Sequence, residues 1–166
     1  MSIAGATDIP STGGGGPDSP QLYLCRGVSG YLLPRVARMV FESFAHVPVT
    51  EELLRHVWEG EDDPVKGGHR FGLGREGKTE FPADWDIARV YLAIRNVLSQ
   101  PQSIRRRGTK VTCLKQVGMV IVGVYLIERP SGVTLVTAYP DCGDGVYLNV
   151  KGKPIPQPLD ISRLES

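Results

Sequence analysis

The sequence is short of cysteine, short of histidine and without a long apolar run, and each shortage removes a class of protein. Its three cysteines, Cys25, Cys113 and Cys142, lie far apart with no CxxC spacing. That argues against a structural zinc site and against a disulfide framework, and it favours synthesis in a reducing compartment. The longest apolar stretch, Val117–Ile127, contains two glycines and is too short to cross a bilayer. The opening MSIAGATDIPSTGGGG lacks the basic start and apolar core of a signal peptide, so a chain cytoplasmic as synthesised is expected.

What remains is a soluble globular composition, 41% hydrophobic and 22% charged over 166 residues, one domain's worth of chain. The net charge of +1 hides an uneven distribution. Residues 1–69 carry 5 basic and 9 acidic side chains, residues 70–115 carry 10 and 4, and residues 116–166 carry 4 and 5. A basic middle in a near-neutral chain points to a local anionic partner.

Residues 1–20 are rich in glycine, proline and serine and read as a flexible leader. A single domain is expected over 21–166, with an extended, surface-bound tail from about 151, where prolines accumulate. Leu32, Leu33, Val36, Met39, Val40 and Phe44 recur at helical spacing. Thr50 should cap a second helix whose buried face is Leu53, Leu54, Val57 and Trp58, with Gly60 closing it. A third helix, capped by Asp84 or Asp86, has the stripe Ile87, Val90, Tyr91, Ile94, Val97 and Leu98 before Pro101. After Gly108 the period changes to two. Val111–Leu114, Met119–Ile127, Val133–Tyr139 and Val146–Val150 read as strands of an antiparallel meander. Helices ahead of an antiparallel sheet make an α+β domain.

Four features invite a chemical reading. Gly72-Leu-Gly-Arg-Glu-Gly77 fits GxGxxG, but no apolar strand precedes it and Pro82 interrupts the helix that should follow, so the glycines are expected to turn a loop rather than hold a dinucleotide. His56 and His69 flank the turn Glu59–Gly68, and two histidines brought face to face suit paired proton transfer. Lys78 could supply fixed positive charge to a developing anion. The bland alternative is a pair of surface or half-buried histidines, and the metal alternative gathers His56, Glu59, Glu61, Asp62, Asp63 and His69, without the spacing of a helical ligand pair. The run Arg105-Arg-Arg107 with Lys110 is either a solvated hairpin or a contact for phosphates, together with Arg70, Arg75 and Lys78.

Taken in order, these motifs resemble the EndoU family of endoribonucleases, most closely its compact bacterial branch, often found as a toxin domain. Leu54-Arg-His-Val-Trp-Glu-Gly-Glu61 looks like the first histidine motif and Gly67-Gly-His-Arg-Phe-Gly72 like the second. Gly77-Lys-Thr-Glu-Phe-Pro82 with Trp85 resembles the lysine motif, and Val136-Thr-Ala-Tyr-Pro140 the closing strand. The match covers about residues 50–140.

The resemblance implies two small antiparallel sheets with flanking helices and an active groove between the sheets, the first sheet lying around Gly68–Gly74 and near Leu22–Leu24. It implies His69 as base, His56 as acid and Lys78 as the stabiliser of the phosphorane, with Lys110 and Lys115 the alternative lysines. Thr137 and Tyr139 would line the nucleoside site, and Thr79 and Arg70 would join the substrate contacts. The implied reaction cuts uridine-containing RNA, single-stranded or tRNA-like, and not DNA. It leaves a 2′,3′-cyclic phosphate and a 5′-hydroxyl, with no required cofactor, although some members respond to manganese. A domain that kept the scaffold and binds RNA or protein without activity is the alternative. A toxin role would bring a cognate immunity protein and delivery to a target cell; the leader fits a free-standing protein equally well.

Overall fold

Two helices come first because two segments carry both a cap and a stripe. In the computed structural model, which describes residues 42–165, α1 spans Glu51–Trp58 and α2 spans Ile87–Ser99. Thr50 caps α1 by accepting from the Leu53 N–H at 3.2 Å, and Asp86 caps α2 by accepting from the Arg89 N–H at 2.7 Å. These bonds satisfy amides that the first helical turn leaves unpaired. The leader, the Leu22–Leu24 position and most of the helix read over Leu32–Phe44 lie outside the described residues. Residues 42–44 are not helical; Phe44 is buried, and its N–H donates to the Leu98 carbonyl at 2.7 Å.

The remaining chain makes two small antiparallel sheets, so the domain is α+β. One is a meander of β2 (Ser103–Arg107), β3 (Lys110–Val117), β4 (Val120–Arg129) and β5 (Gly132–Gly143). The other places β6 (Tyr147–Val150) between β1 (Thr79–Glu80) and β7 (Lys153–Pro156). Two expectations change here. The Val146–Val150 run does not extend the meander, because β6 pairs with β1 and β7 instead. Gly68–Gly74 is not a strand of the first sheet either. That segment loops around Glu80, whose buried carboxylate accepts from the Gly72 and Gly74 N–H groups at 2.8 and 2.6 Å and from Asn149 Nδ2 at 2.9 Å. The GxGxxG pattern thus cradles an anion of the chain's own.

The inner face of the meander carries the core. Val111 and Cys113 of β3, Val122, Val124 and Leu126 of β4, and Ala138 of β5 pack with Val90, Ala93, Ile94, Val97 and Leu98 of α2. Ile87 and Tyr91, expected in that stripe, are exposed; Ile87 is the first residue of the helix, and Tyr91 lies on the flank of a buried arc centred on Ile94 and Val97. Phe81 stacks on Trp85 with ring centroids 5.5 Å apart, and the Arg89 guanidinium lies 4.7 Å from the Trp85 ring centroid. The outer face has a smaller cluster, Leu114, Ile121 and Cys142, covered by Leu159 and Leu164. The tail is therefore partly structured, with β7 and a 3₁₀ turn at Ile161–Leu164. Among the described residues no helix is long and apolar enough to cross a membrane.

Leu126 is fully buried in an inner strand of the meander. Leu126→Ala should lower the free energy of unfolding by about 2–5 kcal/mol, read as a lower urea midpoint with an unchanged slope.

Candidate active site

The segments that carry the two histidines run side by side because the chain doubles back on the end of α1. His56 lies in its last turn, and residues 68–70 then run alongside it. The Gly68 N–H donates to the His56 carbonyl at 3.0 Å, and the His69 N–H to the Val57 carbonyl at 2.8 Å. On its other side the His69 carbonyl accepts from the Phe81 N–H at 2.8 Å, which ties this segment to the end of β1. The return needs a glycine. Gly67 has φ +61°, and a Cβ there would lie 2.1 Å from the His56 carbonyl oxygen, so no side chain fits.

The intervening loop is built around Arg75. Its Nη2 donates to the Glu59 and Glu61 carbonyls at 2.8 and 2.9 Å, and its Nη1 to those of Asp63 and Lys66 at 3.4 Å. Gly60 and Gly68 press against the same group, where added Cβ atoms would lie 2.5 and 2.6 Å from it. A guanidinium suits this role because its donors form a fixed planar fork.

The loop fixes the candidate side chains. Glu61 Oε1 lies 3.0 Å from His56 Nδ1; a carboxylate only accepts, so Nδ1 carries the proton. Lys78 Nζ donates to the Val65 carbonyl at 2.6 Å. His69 Nδ1 lies 2.7 Å from the Thr79 carbonyl and must likewise donate, which leaves Nε2 as the acceptor of the neutral ring. Burial, the largest cause, pushes the His69 imidazole from its ordinary 6.5 down to about 4. The Thr79 carbonyl opposes this, while the Lys78, His56 and Arg75 charges add to it.

His69, Lys78, Thr79, Thr137 and Tyr139 line one cavity of 430 Å³ with Gly77, Tyr125 and Asp141. His56 lines a neighbouring, larger one, and Lys78, Tyr125 and Thr137 border both. The Tyr139 ring centroid lies 6.2 Å from that of His69 and covers Gly123, where a Cβ would come within 2.6 Å of the phenol. Burial, then the Asp141 charge, raises the Tyr139 pKa, so its hydroxyl stays protonated at neutral pH. Thr137 Oγ1 is buried without a hydrogen-bond partner; such a group costs about 1–3 kcal/mol until one arrives.

Arg70 does not join the cavity. Its Nε lies 3.4 Å from Glu59 Oε2, and it lines neither space. Lys110 and Lys115 are also outside both. Among the described residues no group of three or more His, Cys, Asp or Glu side chains is placed to hold a metal ion. Two residues of the cavity wall, Asp141 and Tyr125, escaped the sequence reading, while Arg75, expected among the phosphate contacts, is bonded to the loop carbonyls instead. Tyr125 had a signal, since it holds the outward phase between the inward Val124 and Leu126. Asp141 had none. Comparison with protein-family models, with curated proteins and with solved structures finds no match to this chain.

Two measurements probe this geometry. Above pH 6.5 His69 is neutral in both folded and unfolded chains. Between 6.5 and 4 only the unfolded chain takes up the proton, so stability falls with pH by roughly 3 kcal/mol and levels off below 4. Urea titrations across this range should show that loss, and His69→Gln should remove it. Arg75→Ala should speed amide hydrogen exchange across residues 59–68 by tenfold or more, on the order of one lost charge-assisted bond. Arg75→Lys should not restore protection, because a single ammonium cannot serve four carbonyls.

Proposed function

We propose that this domain is an endoribonuclease of the EndoU kind, cutting RNA 3′ of uridine by metal-independent transesterification. The observation that carries the reading is the convergence on one cavity of a neutral histidine with a free ring acceptor, a lysine, a protonated tyrosine and an unpartnered threonine hydroxyl. Three of the four in-order motifs that resemble that family's supply these residues, and the first supplies His56, which borders the neighbouring cavity.

Each group has a task that its surroundings suit. His69 Nε2 takes the proton of the ribose 2′-hydroxyl, and the freed oxygen attacks the adjacent phosphorus. His56, as imidazolium with its Nδ1–H held by Glu61, gives its second proton to the departing 5′-oxygen as the P–O5′ bond breaks. Lys78 exchanges the Val65 carbonyl for a non-bridging phosphoryl oxygen, where its charge counts most as the phosphorane forms. Tyr139 offers a ring to the nucleoside, and the orphan Thr137 hydroxyl gains a partner on the edge of the base. The products are a 2′,3′-cyclic phosphate and a 5′-hydroxyl, with no water consumed.

A short oligonucleotide with one uridine ribonucleotide tests the proposal, with the product ends weighed by mass spectrometry. Cyclic phosphate ends, and no cleavage when that sugar is 2′-deoxy, are expected. A 5′-phosphate end, cleavage of the deoxy substrate, or binding without cleavage would overturn it. His69 is buried against Phe81 and Tyr139, so His69→Gln is the apt variant. It and His56→Ala should each lower kcat/KM by about 10²–10⁴ with unchanged circular dichroism.

The pH profile carries the signature of the buried base. In the free enzyme His69 loses its basicity only on protonation near pH 4. kcat/KM should therefore fall on the acid side near 4 rather than near 6.5. An acid limb at 6.5 would assign the base to a solvated histidine.

A further inference from the structure

The register of the meander lines up one row of side chains from the candidate site to the far edge of the sheet. Directly paired residues of antiparallel strands share a face, and the pairs Thr137–Tyr125, Tyr125–Thr112 and Thr112–Arg105 are consecutive. The row therefore runs Thr137, Tyr125, Thr112, Arg105 across all four strands, with its first two members in the cavity wall. Arg107 pairs with Lys110 and Lys110 with Ile127, which sets a second row beside it on the same face. Neither row contains a carboxylate.

The alternation of β2 divides the three consecutive arginines. Arg106 points to the opposite face, where its guanidinium bonds Glu42 and lies 3.3 Å from Glu128. Arg105 is turned toward the site. Its Nη2 donates to the Arg163 carbonyl, and its positive charge acts on the Tyr139 hydroxyl. Arg107 and Lys110 are exposed on the outer face. From β5 to β2 the track covers about 14 Å, three strand spacings.

We propose that this outer face binds the RNA strand on one side of the scissile phosphate. Tyr125 is a platform for a base next to the one held at Thr137 and Tyr139, and Arg105, Arg107 and Lys110 contact successive phosphates. The inference rests on the RNA reading above and adds a strand path to it. The chemistry recognised is that of single-stranded nucleic acid. Aromatic rings stack on any base, and a row of cations without acids tracks a backbone regardless of sequence. An acidic protein segment would use the cations but would have no use for the Tyr125 ring.

Binding to uncleavable oligonucleotides, each with a single 2′-deoxyuridine at the cut position, tests the path independently of catalysis. Fluorescence anisotropy compares the bare dinucleotide with strands extended by three nucleotides on the 5′ or the 3′ side. One extension should tighten binding to the parent protein. The double variant Arg107→Ala, Lys110→Ala should cancel that gain and lower the slope of log Kd against log salt by about 1.4, two single-strand phosphate contacts. Tyr125→Ala should weaken the extended strand roughly tenfold or more, and Tyr125→Phe should preserve it. Arg106→Ala should leave the gain intact. If the extension gain survives the double variant, or no extension tightens binding, the path is refuted even where the parent protein cleaves RNA. If the gain behaves as expected but the ribose substrate is not cut, the path stands and the nuclease reading falls.

Discussion

The guanidinium of Arg75 is the interaction on which the site depends. Residues 59–68 contain four of the chain's acidic side chains and three glycines, a composition that favours an open solvated loop over a fixed one. One cation facing four backbone carbonyls reverses that preference. The loop then acts as a rigid part. It presents Glu61 to His56, offers the Val65 carbonyl to Lys78, and delivers His69 against α1. Three side chains drawn from 23 residues of sequence acquire their geometry from a fourth that touches no cavity wall.

Burial and charge act in the same direction at His69. A histidine surrounded by Phe81 and Tyr139, with Lys78 nearby, is held neutral by desolvation first and by repulsion second. The Thr79 carbonyl then determines which nitrogen keeps its proton. A neutral ring with one defined acceptor is thus a product of packing as much as of hydrogen bonding. His56 differs, being partly exposed and joined to a solvated carboxylate. Two residues of one kind in unlike environments are what paired proton transfer requires.

Much of this was legible in the sequence, and the limits have physical reasons. α1 and α2 announced themselves because their caps and stripes are local. β3, β4 and β5 did so because their inward residues alternate, whereas β2, an edge strand with three consecutive arginines, was not read as a strand. The three-stranded sheet was misplaced because β1 has only two residues and its partner lies almost seventy positions away, so no local pattern encodes it. His69, Lys78, Thr137 and Tyr139 could be singled out by residue type and motif order, but their shared cavity is a tertiary fact. Arg70 was drawn in by its neighbour His69 and by its charge; the structure gives it to Glu59 instead. Arg75 was read as a phosphate contact by its charge; that its guanidinium instead gathers four loop carbonyls is a tertiary fact that no local pattern announces.

The bond from Asn149 to Glu80 spans 69 residues, and it bears on the order in which the molecule takes shape. During synthesis His56, His69 and Lys78 emerge before the meander, while β6, the strand that pairs with β1, emerges after it. The meander consists of neighbours in sequence and can pair as it appears. The β1–β6 contact must wait for the whole meander to be made, and it bears the entropy of closing that long loop. A nascent chain thus holds His56, His69 and Lys78 well before it holds the cavities they border. The candidate site is complete only once β6 has paired with β1, which no stretch of chain before residue 147 can bring about.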